Sequence, residues 1–168
     1  MNKTGIGAIG ENIAQKYLAK QGYKIIAKNC IFAGCELDIV CILPKNKHKK
    51  ILKQKYKNGE IKSVGALKFL LESVCDTLVF VEVKYSSTRI YGEPFERVDF
   101  HKQNQIIKAS QIFCTKNQIK MPCRFDVISI VGDEINHIEN AFESRFWFVV
   151  SIYFYRLLSL IMKYFDKF

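Results

Sequence analysis

The sequence lacks the features that mark a zinc-binding or an exported protein. Its six cysteines include no Cys-x-x-Cys pair and its three histidines are scattered, so the clustered ligands of a zinc site are missing. Several cysteines fall inside apolar runs, where a free thiol acts as a small hydrophobic group and suits a reducing compartment. The N-terminal residues contain no apolar core of signal-peptide length. We therefore expect a cytoplasmic protein without a zinc site.

Acidic residues are few relative to basic ones, and the formal net charge is +10. This balance favours anionic partners, with nucleic acid first and an acidic membrane surface second. A solvated lysine-rich surface is the alternative, and charge alone does not separate the two. Hydrophobic residues make up 49% of the 168 residues, which argues against wholesale disorder and predicts one domain with a substantial core.

Two short apolar runs carry charged residues at their ends. One, Thr-Leu-Val-Phe-Val-Glu82-Val-Lys84, predicts a buried strand. The other, Glu36-Leu-Asp38-Ile-Val-Cys-Ile-Leu, predicts a strand in which both acids share a face, because side chains alternate along a strand. If the two strands pair, three carboxylates and one amine converge. The alternative for Glu82 and Lys84 is an exposed ion pair, worth about 0–1 kcal/mol.

The remaining apolar patterns predict an α/β domain. Its elements follow the order α-β-β-β-α-β-β, which is typical of a mixed central sheet flanked by helices. The predicted elements are a helix at 4–20, strands at 23–29, 36–43 and 77–84, a helix at 96–116, and strands at 124–131 and 135–139.

Residues 44–76 differ in composition from the rest and are interpreted as an insertion between two strands that would otherwise form a hairpin. They hold nine lysines against three acids. Residues 45–57, with seven lysines and no acid, predict a solvated and mobile loop, and residues 63–73 predict an amphipathic helix. The insertion would either follow a phosphate backbone or form a solvated surface.

The C-terminal residues 143–168 are apolar and aromatic, with Arg156 in the middle of the run. A membrane-spanning helix takes about 20 apolar residues, and a central arginine costs about 2.5–3.5 kcal/mol. We expect an amphipathic helix packed on the domain or on a second copy in a homodimer, ahead of a helix lying on a membrane surface and of a membrane span. The predicted domains are therefore 1–142, with the insertion, and 143–168.

The charges at the strand ends suit the hydrolysis of phosphodiester bonds. Mg²⁺ prefers hard oxygen ligands, which Asp38, Glu82 and the carbonyl of Val83 can supply. Lys84 would face the attacking water or the phosphate. Glu11, on the first helix, would complete the cluster through a water or a second ion; alternatively it complements the helix macrodipole.

Three more residues are predicted to approach the substrate. Lys102 and Gln105 would flank the acids from the second long helix. Arg89, in the polar loop after the Glu82 strand, would meet phosphate groups of the nucleic acid.

Five short motifs follow one another along residues 1–43 and 77–142. They are Gly10-Glu11…Ala14…Tyr17-Leu18…Gly22-Tyr23, Gly34-Cys35-Glu36-Leu37-Asp38-Ile39, Val79-Phe80-Val81-Glu82-Val83-Lys84 with the later Lys102, Cys123-Arg124-Phe125-Asp126-Val127-Ile128, and Asn140-Ala141-Phe142. This set resembles the YraN-like family of small bacterial proteins. That family is similar to the PD-(D/E)xK superfamily of restriction endonucleases, archaeal Holliday-junction resolvases and tRNA-splicing endonuclease-like proteins.

The resemblance implies a restriction-endonuclease-like fold and an endonuclease dependent on Mg²⁺ or Mn²⁺, acting on DNA rather than RNA. Asp38 would be the metal-binding aspartate, Glu82 and Lys84 the E-x-K pair, and Glu11 the helix-borne acid of resolvase-type members. Cys35 departs from the pattern, because the family more often has glycine directly before the glutamate. The alternative is a non-catalytic nucleic-acid-binding module of the same fold, with its tail on a membrane surface.

Overall fold

A five-stranded mixed sheet with helices on both faces forms the centre of the fold. The computed structural model describes residues 3–86 and 98–144, and all that follows concerns these residues. The strand order is β1-β2-β3-β4-β5; β3 and β4 are parallel, and the other neighbouring pairs are antiparallel. In chain order the elements are α1 (Lys3–Lys20), β1 (Lys24–Phe32), β2 (Cys35–Leu43), α2 (Lys45–Lys57), α3 (Val64–Ser73), β3 (Thr77–Ser86), α4 (Phe100–Lys116), β4 (Cys123–Val131) and β5 (Glu134–Phe142).

The predicted mixed sheet and its element order are confirmed, with α2 and α3 added by the insertion between β2 and β3. Tight turns join the antiparallel pairs β1–β2 and β4–β5, whereas the insertion joins the antiparallel pair β2–β3. Ala33 and Gly34 connect β1 to β2 with φ of 50° and 75°, the left-handed geometry of a two-residue hairpin whose twist matches that of its strands. The parallel pair β3 and β4 requires a crossover, which α4 provides.

Residues 45–57 form helix α2, so the prediction of a mobile loop there was wrong. Lysine, glutamine and leucine lose little side-chain freedom in a helix and favour it. Ile51 also packs against the core on the α1 side of the sheet. The repeated charge pointed to a loop, whereas the side chains between the lysines supply the apolar face.

Three predicted boundaries shift for identifiable reasons. Helix α4 begins at Phe100 rather than at residue 96, because the Asp99 carboxylate caps it by accepting a bond from the Lys102 N–H at 2.8 Å. Strand β1 continues to Phe32, and strand β5 continues to Phe142, where each still pairs with its neighbour.

Apolar side chains fill both faces of the sheet. On one face, Phe80 contacts Phe113 of α4 edge-on and stacks against Phe125 of β4, with ring centroids 5.8 and 5.6 Å apart. On the other face, Leu18 of α1 is fully buried against the central strands. With both faces covered, charged side chains of the central strands have few open positions, and these lie at the strand ends.

The predicted C-terminal helix lies outside the described residues, which end at residue 144. Of the helices within the described ranges, none is long and apolar enough to cross a bilayer.

Candidate active site

Asp38 and Glu82 lie where strands β2 and β3 stop pairing. The last pair of the antiparallel register is Ile39 with Val81, and continuing the register by one residue places Asp38 beside Glu82. The Asp38 carboxylate, through Oδ2, accepts a hydrogen bond from the backbone N–H of Val83 at 2.7 Å. The Asp38 side chain thus accepts the hydrogen bond from the Val83 N–H that a backbone carbonyl of β2 would otherwise accept. Regular pairing between β2 and β3 ends at this point.

Two lysines hold the Glu82 carboxylate, which is only 4% exposed. Lys84 Nζ donates to Glu82 Oε1 at 2.6 Å, and Lys102 Nζ lies 3.2 Å from the same oxygen. Lys84 comes from the same face of β3, and Lys102 comes from the first turn of α4. The predicted proximity of Lys84 and Lys102 to Glu82 is therefore what the structure shows.

Burial dominates the electrostatics of the acid pair. The pKa of Asp38 is raised from 3.8 to about 7, first by burial and then by the nearby Glu82 carboxylate, while the Val83 N–H and the two lysines oppose the rise. At Lys102, burial acts to lower the pKa, but the attraction of Glu82, Cys35 and Asp38 and the hydrogen bond to Glu82 together outweigh it, and the pKa is raised. The ionised form of Asp38 is therefore disfavoured by its surroundings, and a bound cation would stabilise it.

The carbonyl of Val83 faces the same gap. The N–H and C=O of one strand residue point toward the same edge, and the Val83 N–H points at Asp38. Within residues 3–86 and 98–144, no group of three or more His, Cys, Asp or Glu side chains is placed to hold a metal ion. Two carboxylates and a carbonyl fit Mg²⁺ or Mn²⁺, since Mg²⁺ commonly keeps several waters and takes one or two protein carboxylates.

Glu11 has a different neighbour from the one predicted. Its Oε2 accepts a hydrogen bond from the side-chain amide of Asn29 at 2.7 Å. Asn29 lies on β1 between two residues that pair with Ile39 and Leu37, the neighbours of Asp38 on β2. Glu11 is therefore bound to a residue of β1 that lies opposite Asp38 in the strand register, and its role as a ligand of a second ion stays a prediction.

Asn29, the hydrogen-bond partner of Glu11, was not predicted from the sequence. It has φ of 51° inside a strand, a left-handed conformation that asparagine tolerates better than most residues. Asparagine is depleted in strand interiors, so its position within an otherwise strand-like run was the available signal of an irregularity.

The other predicted residues are exposed or lie outside the described residues. Gln105 is exposed, and its Nε2 lies 3.0 Å from Nε2 of His101 on the same helix. Glu36 is exposed near the start of β2, and among the described residues it does not join Asp38 and Glu82 in a group of three acids placed to hold a metal ion. Arg89 lies outside the described residues.

Cys35, the residue that departs from the family pattern, lies within the electrostatic reach of the site. It is 4% exposed. Burial raises the pKa of its thiol, Lys102 lowers it, and Glu82 and Asp38 raise it further. The thiol therefore stays protonated near neutral pH, which disfavours a role as a nucleophile.

A second group of buried charges has a structural explanation. Asp126 is fully buried on the opposite face of the sheet. Its Oδ2 binds Arg124 at 2.8 Å and lies 2.9 Å from His137 Nε2, and its Oδ1 accepts the backbone N–H of Asn140 at 3.0 Å. Both oxygens are satisfied by groups of β4 and β5, so the Arg-Phe-Asp motif ties these strands together.

Sequence comparisons agree with the motifs. Residues 10–130 match the profile of the family described as Uncharacterised protein family UPF0102. A UPF0102 protein of Caldanaerobacter subterraneus subsp. tengcongensis is 33% identical over 150 residues, covering 84% of this chain and 98% of the relative. One from Alkaliphilus oremlandii is 36% identical over 149 residues, covering 84% and 100%. The resemblance to the YraN-like family is thus confirmed, and the chain belongs to the UPF0102 family.

Proposed function

We propose that the protein is a metal-dependent nuclease that hydrolyses phosphodiester bonds, with DNA the preferred substrate over RNA. The observation that carries the proposal is the pairing of Asp38 and Glu82 at the separating ends of β2 and β3, with two lysine amines on Glu82. Phosphoryl chemistry requires charge neutralisation and a positioned water, and acids next to amines are suited to both.

Asp38, Glu82 and the Val83 carbonyl would hold Mg²⁺ or Mn²⁺. When bound, such an ion supplies an activated water and neutralises charge on the phosphate. Lys84 and Lys102 would then be free to donate hydrogen bonds to phosphate oxygens or to the attacking water, because the ion and the two ammonium groups compete for the same carboxylate. The surrounding burial excludes bulk water and strengthens these interactions.

A non-catalytic nucleic-acid-binding module is the second candidate. It is favoured by the ion pairs themselves: Glu82 already has two ammonium partners, and a buried acid satisfied in this way can serve the fold alone. In that case the basic surface would bind nucleic acid and the acid pair would not turn over substrate.

Cleavage assays separate the two candidates. Labelled single-stranded, duplex and four-way-junction DNA, and RNA of matched sequence, are incubated with the full chain in Mg²⁺, in Mn²⁺ and in EDTA. We expect divalent-dependent cleavage that falls by about 10²-fold or more in Glu82→Gln, because an interaction with developing charge is lost, while DNA binding in EDTA is retained.

The control variant is Glu60→Gln, which removes an exposed carboxylate far from the site and should cleave at the parent rate. Absence of cleavage by the parent chain on all four substrates with either ion, together with retained binding, would overturn the nuclease proposal in favour of the binding module.

A further inference from the structure

Helix α2 carries an oblique row of positive charge. Lys45, Lys49, Lys53 and Lys57 recur every four residues, so neighbouring members are close and the row winds through about 120° along the helix. Successive members rise by about 6 Å, and the row is about 18 Å long. We call these four residues the lysine row.

One side of α2 packs against the domain. His48, Ile51, Leu52 and Tyr56 are half-buried there, and Lys49 is half-buried too, whereas Lys45, Lys53 and Lys57 are exposed. Packing therefore fixes the orientation of the helix, and three of the four row lysines face solvent in a defined direction.

The row opposes the intrinsic electrostatics of the helix. Lysines four residues apart repel one another, and the first turn contains no acid to complement the positive end of the macrodipole. Two described acids contact the helix near its ends, and Glu139 acts electrostatically on His48. Asp76 accepts the Lys45 N–H at 2.6 Å, and Glu60 lies 4.0 Å from Lys55. An anionic partner would relieve the repulsion in the middle of the row.

The row lies at the far end of the sheet from the candidate active site. Helix α2 directly follows the end of β2, five residues after Asp38, and α3 leads into the start of β3, five residues before Glu82. Five strand residues span about 17 Å. A ligand that reaches both places must be long and repeatedly anionic, which describes a nucleic-acid backbone.

We propose that the lysine row is a second phosphate-binding surface that holds the nucleic-acid backbone about 17 Å or more from the bond to be cleaved. The identification of the polyanion as nucleic acid rests on the proposed function. Such contacts read no sequence, are strongly salt-dependent, and position the strand relative to the site. The row should therefore govern substrate affinity and leave the chemical step to Asp38 and Glu82.

Binding is measured by fluorescence anisotropy with labelled single-stranded and duplex DNA, in EDTA and over a series of salt concentrations. In the row variant, Lys49, Lys53 and Lys57 are changed to Gln, which keeps a high helix propensity. The control variant changes the exposed Lys16, Lys108 and Lys120 to Gln and so loses the same charge. A third variant replaces the three row lysines with Arg.

For duplex DNA, we expect the slope of log K against log salt to fall by about 2–3 in the row variant, since each lost phosphate contact removes about 0.9. Affinity at low salt should fall at least about tenfold, the control should change far less, and the Arg variant should bind like the parent. Equal losses of affinity and slope in the row and control variants would overturn the proposal, because only net charge would then matter.

Two further measurements distinguish this proposal from the proposed nuclease function and from binding to a membrane surface. In Mg²⁺ the row variant should show a higher KM than the parent and the same kcat. If the parent chain does not cleave, the proposed function is rejected, while binding measured in EDTA still tests the lysine row.

Vesicles containing phosphatidylserine test the other polyanionic surface. Loss of vesicle binding in the row variant with DNA binding intact would overturn the proposal in favour of a membrane-facing helix.

Discussion

Replacing Asp38 with Asn should stabilise the metal-free protein above neutral pH. The native pKa of Asp38 is about 7 against an ordinary 3.8, so the native state holds this proton more tightly than the unfolded state does. Stability is then lost as the pH rises between these two values, by up to about 1.4 kcal/mol per pH unit. The free energy of unfolding is then lower by about 4 kcal/mol in total, and this full decrease is reached above about pH 7.

An asparagine at this position does not titrate, and its amide oxygen can still accept the Val83 N–H that Asp38 binds now. The free energy of unfolding is measured by urea denaturation in EDTA at several pH values. We expect Asp38→Asn and the parent to be similar near about pH 4 and to diverge to about 3–4 kcal/mol in favour of the variant near about pH 8.

Mg²⁺ provides the second arm of the experiment. A ligand that binds only the native state stabilises it, by about 1.4 kcal/mol at ten times its Kd, so Mg²⁺ should raise the stability of the parent and leave Asp38→Asn unchanged. Glu60→Gln, exposed and distant, should show no pH-dependent difference from the parent. If Asp38→Asn is no more stable than the parent at high pH, the Asp38 carboxylate is not electrostatically penalised and the reasoning fails.

Two other predictions concern the scaffold, and both are measured as changes in the free energy of unfolding. Gly10→Ala should destabilise the protein by about 1–3 kcal/mol, because the added Cβ would lie 2.5 Å from Cβ of Tyr85. Gly7→Ala is the control and should be neutral or stabilising, because the nearest outside atom to its added Cβ is a flexible carboxylate oxygen at 4.0 Å. Equal changes in the two variants would contradict the steric argument. Asp126→Asn should lower the free energy of unfolding by about 3 kcal/mol or more, because the Arg124 guanidinium loses its closest counter-charge. A decrease below about 1 kcal/mol would show that the ion pairs of Asp126 do not stabilise the fold.

The local patterns predicted most of the architecture because each element had its own signal. The apolar runs of β2 and β3 are properties of a few neighbouring residues. The Asp99 cap is equally local but was not recognised, so the predicted start of α4 was four residues too early. Helix α2 was not predicted, because lysines dominate this segment and its apolar residues are few. Charge patterning reports solvation, and a solvated segment can still be a helix.

The site was predictable only in part, because its geometry depends on pairing between distant segments. Strand spacing placed Lys84 next to Glu82 and predicted that Asp38 would meet Glu82 if the two strands paired. The bond from the Val83 N–H to Asp38 depends on where the β2–β3 ladder ends. The capture of Glu11 by Asn29 depends on a left-handed residue inside β1. Neither is a local property of the sequence.

Asp38 and Asp126 illustrate how the same residue type serves two purposes in one sheet. Asp126 is fully enclosed, yet its two oxygens meet an arginine, a histidine and a backbone N–H. Asp38 is also largely buried, but it has a second carboxylate beside it, and the lysines bind that neighbour. A protein that needed only structural ion pairs would have little reason to keep two acids together at a strand end, since burial makes their repulsion costly. A divalent cation at this point would make the arrangement favourable, and for this reason the proposed function places the metal at Asp38, whereas the contacts of Asp126 give it a structural role.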